Sequence, residues 1–327
     1  MTEEESYTCL KAILSGSVDP DEIYRWLVTL QKSPETVDEM VGFSKAMRDH
    51  MVRAPLFGKV ILDVCGTGGV LAHRFNTSTA VAFVLAAGGV RVAKHGNRGS
   101  RAANGSFDFL ESLGIYFGHD PAALKALYEQ THLCFLFART HHPAMRFVAS
   151  ARQKIGSRTI FNCLGPLNNP SGATHQVLGT VSMDLANKLV EAFIRLGTQR
   201  ALVVCAEDSL DEFSISAKTR VLELNKGQVT SFEFDPSLYM TAKPSPTLTG
   251  KAIDNADLFI SLVSQGQIDH AISDLICLNA GAGFYTVGKT DSIESGFRLA
   301  QALFQDGSVW QKVLTYRALA TQYLSTF

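Results

Sequence analysis

Four short stretches of this chain hold the residue types that could do chemistry. They are Asp63-Val64-Cys65-Gly66-Thr67-Gly68-Gly69-Val70, Arg74-Phe75-Asn76-Thr77-Ser78-Thr79, Lys94-His95-Gly96-Asn97-Arg98 and Glu207-Asp208-Ser209-Leu210-Asp211-Glu212. In the first, Gly66, Gly68 and Gly69 free backbone N–H groups to converge on an anion, and the hydroxyls that follow open a helix at its positive end. It is not a dinucleotide fingerprint, because the third glycine is missing, and no Gly-Lys-Ser/Thr follows to make a Walker loop. A glycine-rich turn that only packs a helix on a strand would read the same way. Lys94, His95, Asn97 and Arg98 weigh against that, since they carry cations to the end of the neighbouring strand. The acidic stretch is either a solvated loop or the holder of a hard cation such as Mg²⁺, which takes a few carboxylates and leaves other positions to water and phosphate.

These residues need a scaffold, and the flanking pattern supplies one. Residues 59–64 are an apolar run entering a tight glycine loop, as a buried strand would. An alanine-rich helix over 80–87 is expected, capped by Thr77, Ser78 or Thr79 and stopped by Gly88-Gly89. A strand at 90–93 and a helix over 106–113 complete a β-loop-α-β-loop-α unit. Both loops then lie at the carboxyl ends of neighbouring parallel strands, where open α/β sheets bind ligands.

Ahead of this unit, residues 3–52 read as three helices. Leu10, Ile13 and Leu14 stripe the first, Asp19-Pro20 opens the second, and Thr36 with Glu39 forms a capping box for the third. Beyond it, the pattern predicts a helix over 121–130, a strand at 133–137 and a helix over 143–155 that carries Arg152. Residues 158–170 are apolar with a turn at Gly165-Pro166. A helix over 183–196 leads into a strand at 201–205. Strands at 220–224 and 229–233 are joined by the hairpin turn Asn225-Lys226-Gly227. After a loop at 239–250, helices over 267–287 and 292–304 are assigned to core packing, without chemistry. His141-His142-Pro143 invites a metal reading, but adjacent histidines point apart and no third ligand is near, which favours a structural or substrate-positioning role; Cys65 reads as a buried structural thiol, since no histidine is tied to it.

Composition sets the class. A chain of 327 residues with 46% hydrophobic and 19% charged residues is an ordinary globular protein, long enough for a large α/β domain and a smaller one. Its formal net charge of −1, without a basic run, argues against a nucleic-acid partner. No apolar run reaches membrane-spanning length, and the polar start Met1-Thr2-Glu3-Glu4-Glu5 is not a signal peptide. Six cysteines without a C-x-x-C pair fit reduced thiols in a cytoplasmic protein.

The ordered set of motifs resembles the anthranilate phosphoribosyltransferases. The likeness rests on Gly66-Thr67-Gly68-Gly69, Phe75-Asn76 with Ser78-Thr79, Lys94-His95-Gly96-Asn97-Arg98 and His142-Pro143-Ala144-Met145. Arg152, the run from Arg158 to Pro170, Leu210-Asp211-Glu212 and Asn279-Ala280-Gly281-Ala282-Gly283 extend it over nearly the whole chain. The resemblance implies an α/β fold: a small all-helical N-terminal domain, and a large α/β domain whose mostly parallel central sheet is flanked by helices. The small domain would span 1–58 with a discontinuous return at about 143–168, and the large one 59–142 and 169–327.

It also implies transfer of a phosphoribosyl group from phosphoribosyl pyrophosphate to anthranilate, with Mg²⁺ as cofactor and a homodimer formed through the helical domain. Gly66, Thr67, Gly68, Gly69, Asn76, Ser78, Thr79, Lys94 and Asn97 would hold the donor. Ser78, Asp211 and Glu212 would serve the metal. Gly66, His95, Asn97, Arg152 and Pro166 would line the acceptor channel, with Arg152 facing the carboxylate.

Four positions depart from the family pattern. Val70 stands where Asp is usual, Arg74 where Thr is usual, Gly99-Ser100-Arg101-Ala102 in place of Ser-Val-Ser-Ser, and Cys205-Ala206 in place of His-Gly. Arg101 reads either as a replacement donor ligand, its guanidinium offsetting two lost hydroxyls, or as a side chain that simply points to solvent. A relative with another acceptor, a non-catalytic nucleic-acid-binding relative and a pyrimidine-type nucleoside phosphorylase remain as alternatives.

Overall fold

A computed structural model describes residues 1–68, 74–99, 103–241, 243 and 248–324. The chain opens with α1 (Glu3–Leu14), α2 (Pro20–Leu30) and α3 (Val37–Asp49). Their starts follow from local chemistry. Thr2 with Glu5 and Thr36 with Glu39 form reciprocal capping boxes, and Asp19 caps α2 ahead of Pro20 in its first turn.

The α/β part then runs β1 (Leu62–Gly66), α4 (Thr77–Ala87), β2 (Val92–Gly96), α5 (Ser106–Ser112), α6 (Pro121–Thr131), β3 (Leu133–Phe137), α7 (Ala138–His141), α8 (Arg146–Ile155), α9 (Phe161–Leu167) and β4 (His175–Gly179). It continues through α10 (Met183–Arg195), β5 (Arg200–Ala206), β6 (Thr219–Asn225) and β7 (Gln228–Phe234), and closes with α11 (Ala252–Ser264), α12 (Ala271–Thr286), α13 (Ile293–Gln305) and α14 (Ser308–Leu324).

One seven-stranded sheet has the order β3-β2-β1-β4-β5-β6-β7. Pairings from β3 through β5 are parallel, and β6 and β7 add an antiparallel edge. The expected mostly parallel sheet is present. From β1 the chain builds outward to β3, then returns to lay β4 on the other side of β1. That reversal makes the β1/β4 boundary a topological switch point, where a crevice opens beyond the carboxyl ends of the strands. Gly66 of β1 stands in register with Gly179 of β4, and Thr67 extends the pairing by donating its N–H to the Gly179 carbonyl at 2.9 Å.

Two apolar clusters cover the sheet. One joins α4, α11, α12 and α14 to the strands through Phe83, Phe135, Phe259, Phe284 and Tyr316. The other joins α1–α3 with α8, α9 and α10, and reaches the strands at Leu178, Val203 and Leu222. The chain segment that leaves the sheet after β3 therefore packs back on the first three helices.

Several expectations need correction. Both β1 and β2 run two or three residues further than the apolar pattern suggested, because Gly66 and Gly96 still fit a pleated strand. Helix α4 begins at Thr77 with Asn76 as its cap residue, and no side chain caps it. The helix expected over 143–155 starts as a separate turn, Pro143–Met145, ahead of α8. Residues read as a Gly-Pro turn form α9 with Pro166 inside it; the helix is short, so its proline sits near the end. Strand β4 and helices α11 and α14 were not anticipated. The hairpin fits its sequence: Lys226 and Gly227 both have positive φ, 49° and 84°, as a two-residue type I′ turn requires.

Candidate active site

The crevice at the switch point is built by a loop that crosses it. After β5 the chain turns through Ser209, at φ 67°, and returns over the ends of β4 and β1, bringing Asp211 against Gly66 and Gly179. A Cβ on Gly66 would lie 2.4 Å from Asp211 Oδ2, and one on Gly179 would lie 1.6 Å from the Asp211 carbonyl oxygen. Glycine is required at both positions by close approach of this loop. Asn279 of α12 fixes the loop from behind: its amide accepts from the Phe213 N–H and donates to the Phe213 carbonyl, each at 3.0 Å. Buried Phe213 anchors the same point.

Asp211 and Glu212 thus face the first glycine loop. Gly68 donates its N–H to Asp211 Oδ2 at 3.1 Å, and Arg74 forms an ion pair with Oδ1. Glu212 accepts from the Thr77 hydroxyl at 3.1 Å. Burial, with the Asp211 charge beside it, pushes the Glu212 carboxyl up to about 8. Three or more His, Cys, Asp or Glu side chains do not converge as a closed metal cage among the described residues. The two carboxylates suit an ion that takes few protein ligands and completes its shell with phosphate and water, as Mg²⁺ does.

The opening of α4 supplies the neighbouring wall. Asn76 is buried; it donates to the carbonyls of Asn104 and Gly105 at 3.2 and 3.3 Å and accepts from Asn255 of α11 at 2.9 Å. Ser78 is half-buried and Thr79 buried, and neither hydroxyl is committed to another group among the described residues. Lys94 reaches across from β2 and donates to the Val64 carbonyl at 2.8 Å; burial lowers its pKa against the opposing pull of Asp63.

His95 is held by its Nδ1, 3.3 Å from the Gly165 carbonyl, and burial depresses it well below the ordinary imidazole value. It is neutral. The expectation that Lys94 and Arg98 bring two cations to this edge is corrected in part. The Arg98 guanidinium binds Glu111 and Asp108 instead, at 2.8 and 3.2 Å. Asn97 stays in the loop after β2, accepting from its own neighbour Arg98 at 2.8 Å.

Several sheltered polar atoms in this region lack a partner among the described residues: Thr67 Oγ1, Arg74 Nε and Nη2, Asp63 Oδ2 and His95 Nε2. Buried polar groups are ordinarily bonded, so such a cluster marks the place of a polar ligand. Gly69 and Arg101 lie outside the described residues, as do Val70, Ser100 and Ala102.

On the helical side, α9 brings Pro166 over the sheet, its carbonyl accepting from Gln176 at 2.9 Å. Arg152, near the end of α8, lies over the Phe161 ring at 5.4 Å and meets no carboxylate among the described residues. Arg158 links the two sides, with Nη1 3.5 Å from the Gly68 carbonyl.

His141 and His142 are structural, each with a ring nitrogen on a backbone carbonyl, of Val52 at 2.8 Å and of Asn168 at 3.0 Å. Burial raises the Cys65 thiol far above its ordinary value, which disfavours the thiolate a nucleophile would need.

Residues 1–51 match the glycosyl transferase family, helical bundle domain, and residues 58–310 match its a/b domain. The anthranilate phosphoribosyltransferase of Rubrobacter xylanophilus is 40% identical over 312 residues, covering 94% of this chain and 90% of its own. The crystal structure of the enzyme from Thermus thermophilus superposes with a TM-score of 0.90 at 38% identity, covering 98% of this chain and 96% of that one. The chain belongs to the anthranilate phosphoribosyltransferase family. The Saccharomyces cerevisiae enzyme, solved in complex with phosphoribosyl pyrophosphate and Mg, shares the fold at a TM-score of 0.89 and 24% identity, over 98% of this chain and 94% of that one.

At this phosphoribosyltransferase crevice Asn255 escaped the sequence reading, and Asn279 entered it only as part of a motif, without a role. Asn255 binds the Arg74 carbonyl at 2.7 Å as well as Asn76 and Asn104, and Asn279 clamps the acidic loop. The helical spacing of Ala252, Ala256, Phe259 and Val263 was the available signal for α11, with Asn255 as the polar interruption on its buried side.

Proposed function

We propose that this protein transfers the phosphoribosyl group of phosphoribosyl pyrophosphate to anthranilate, giving N-(5-phosphoribosyl)anthranilate and diphosphate, a step of tryptophan biosynthesis. The observation that carries the reading is the crossing of the Asp211-Glu212 loop over the β1/β4 switch point, among sheltered donors without partners.

In the reaction the bond from the anomeric carbon to the diphosphate oxygen breaks, leaving an oxocarbenium-like ribosyl centre. The anthranilate amine bonds to that carbon and loses a proton to solvent. Chemistry of this kind needs positioning and stabilisation of leaving charge more than a covalent nucleophile. The glycine-loop amides at Gly66 to Gly69 and the Thr67 hydroxyl receive the diphosphate, while Asn76, Ser78, Thr79, Lys94 and Asn97 receive the phosphoribosyl group. Asp211, Glu212 and the Ser78 hydroxyl are the residues that would hold Mg²⁺, which neutralises leaving-group charge when bound. His95, neutral and sheltered, lines the acceptor channel with Gly66, Asn97 and Pro166. A protein with these roles should consume anthranilate fluorescence only when phosphoribosyl pyrophosphate and Mg²⁺ are both present. Donor binding without fluorescence loss would mean another acceptor, and absence of donor binding would defeat the transferase reading.

Arg152 is assigned to the anthranilate carboxylate, because its half-buried guanidinium meets no acidic partner among the described residues and its planar fork suits one. Arg152→Ala should raise the Michaelis constant for anthranilate about tenfold or more, since a hydrogen bond to a charged group contributes ~1.5–3 kcal/mol. The constant for the donor should stay within about twofold on the same scale. Equal changes in both would make Arg152 a support of the fold.

We further propose that the helical portion, 1–58 with the return at 143–168, acts as one body against 59–142 and 169–327. It would carry the contact of a homodimer in the cytoplasm. Among the described residues no helix is long and apolar enough to cross a membrane.

A further inference from the structure

Arg74 is held unusually firmly for a residue at the mouth of a loop. Its carbonyl accepts from Asn255 at 2.7 Å and from Asn104 at 3.0 Å, so two amides fix the backbone from which the side chain departs. The guanidinium binds Asp211 Oδ1 through Nη1, on the carboxylate that also takes the Gly68 N–H. Its Nε and Nη2 are shielded from solvent without a partner among the described residues. Those two nitrogens share one edge of the guanidinium, the edge that grips two oxygens of a phosphate side-on. One edge of the arginine is thus bound to the acidic loop, and its other edge has no partner among the described residues.

We propose that Arg74 is a resident cation of the donor site: it neutralises Asp211 and turns its free edge to the diphosphate, so that this chain binds diphosphate with little dependence on Mg²⁺. The proposal rests on the donor site described under Proposed function and goes beyond it by assigning part of the metal's charge role to a side chain. The physical logic is one of substitution. A cation beside Asp211 is needed to bring a multiply charged anion near a buried carboxylate, and a guanidinium supplies that charge with directional donors. One carboxylate oxygen so occupied is also one ligand fewer for a divalent ion, leaving Glu212 as the freer of the two.

Calorimetry with inorganic diphosphate tests this on the whole chain. The wild-type protein should bind diphosphate in EDTA, and adding Mg²⁺ should tighten binding by less than about tenfold. Arg74→Thr, which restores the hydroxyl of the family pattern, should lose metal-free binding by at least about tenfold and recover most of it with Mg²⁺. Manganese titration followed by electron paramagnetic resonance gives a second readout. With Asp211 released from the guanidinium, Arg74→Thr should bind Mn²⁺ at least about tenfold tighter than wild type.

Wild-type binding that appears only with Mg²⁺ would overturn the proposal while leaving the donor site intact, and it needs no variant to observe. Equal metal-free binding by wild type and Arg74→Thr, or equal Mn²⁺ affinities, would also overturn it. Failure to bind diphosphate with or without Mg²⁺ would remove the donor site itself, and the proposal with it.

Discussion

Joint replacement of Asp211 by Asn and Glu212 by Gln should lower turnover by at least ~10²-fold, because the charge stabilisation lost from a leaving diphosphate amounts to several kcal/mol. Shape is retained. The amide oxygen introduced in place of the Asp211 carboxylate can still accept the Gly68 N–H, and the one introduced in place of the Glu212 carboxylate can still meet the Thr77 hydroxyl. What changes is charge alone. The Arg74 guanidinium loses its counter-ion, which is unfavourable, but its side chain keeps about one-fifth of its exposure, at 21%, and water relieves part of that cost. Removing the Glu212 ionisation works the other way. That carboxyl is pushed up to about 8 by burial first and by the Asp211 charge second, so in the folded protein its charged form is unfavourable above the ordinary carboxylate range. The two effects oppose one another, and the urea midpoint should move by less than about 2 kcal/mol equivalent. Steady-state kinetics and urea denaturation on the same preparation decide the matter. A folded double variant with full turnover would return both carboxylates to the role of a solvated loop.

How much of this site could be read in the chain depended on how local the cause was. The three N-terminal helices carry their own start signals, and Thr2, Asp19 and Thr36 cap them as side-chain chemistry dictates. The glycine loop and the carboxylates were legible as residue types in a sequence order. Their meeting was not, since Asp211 lies 143 residues beyond Gly68 and reaches it only through the return of β4 beside β1.

Strand β4 itself escaped notice because its five residues begin with His175 and Gln176, polar side chains buried here by contacts with Thr174 and with Cys65 and Pro166. Helix α14 had a stripe of Val309, Val313, Tyr316, Ala320 and Leu324 at helical spacing, diluted by alanines and threonines between. Arg98 misled for a different reason. A cation in a motif beside an anion-binding loop invites a ligand role, whereas the nearer Asp108 and Glu111 on α5 claim it. Positive charge at the crevice comes instead from Lys94 and from Arg74.

Gly179→Ala should be among the most damaging single-atom additions in the molecule. The new Cβ would sit 1.6 Å from the Asp211 carbonyl oxygen, 2.1 Å from its carbonyl carbon and 3.0 Å from its Cα. All three are backbone atoms, so no rotamer change can clear them. The obstructing segment is also pinned at both ends: Asn279 holds Phe213, and the turn from Ala206 to Leu210 fixes the approach from β5. The loop must lift as a unit, or the end of β4 must sink away from Thr67, which pairs with the Gly179 carbonyl. Overpacking of this kind costs ~1–3 kcal/mol of stability. The functional cost should be larger in proportion, because displacing a catalytic constellation by about 1 Å can lower rates ~10²-fold.

Gly68→Ala is the control that separates space from conformation. Gly68 has φ +65° with nothing among the described residues within 4 Å of the added carbon, so the left-handed backbone penalty governs, about 1–2 kcal/mol. Turnover should therefore fall at least ~10²-fold in Gly179→Ala and less in Gly68→Ala, although both lose comparable stability. If the two variants lost stability alike and turnover alike, placement of Asp211 by the packed glycines would not be what sets the rate. If Gly179→Ala kept wild-type kinetics, the acidic loop would have to be free to rise from the sheet without consequence, and the crevice at the switch point would lose its claim to hold the leaving group.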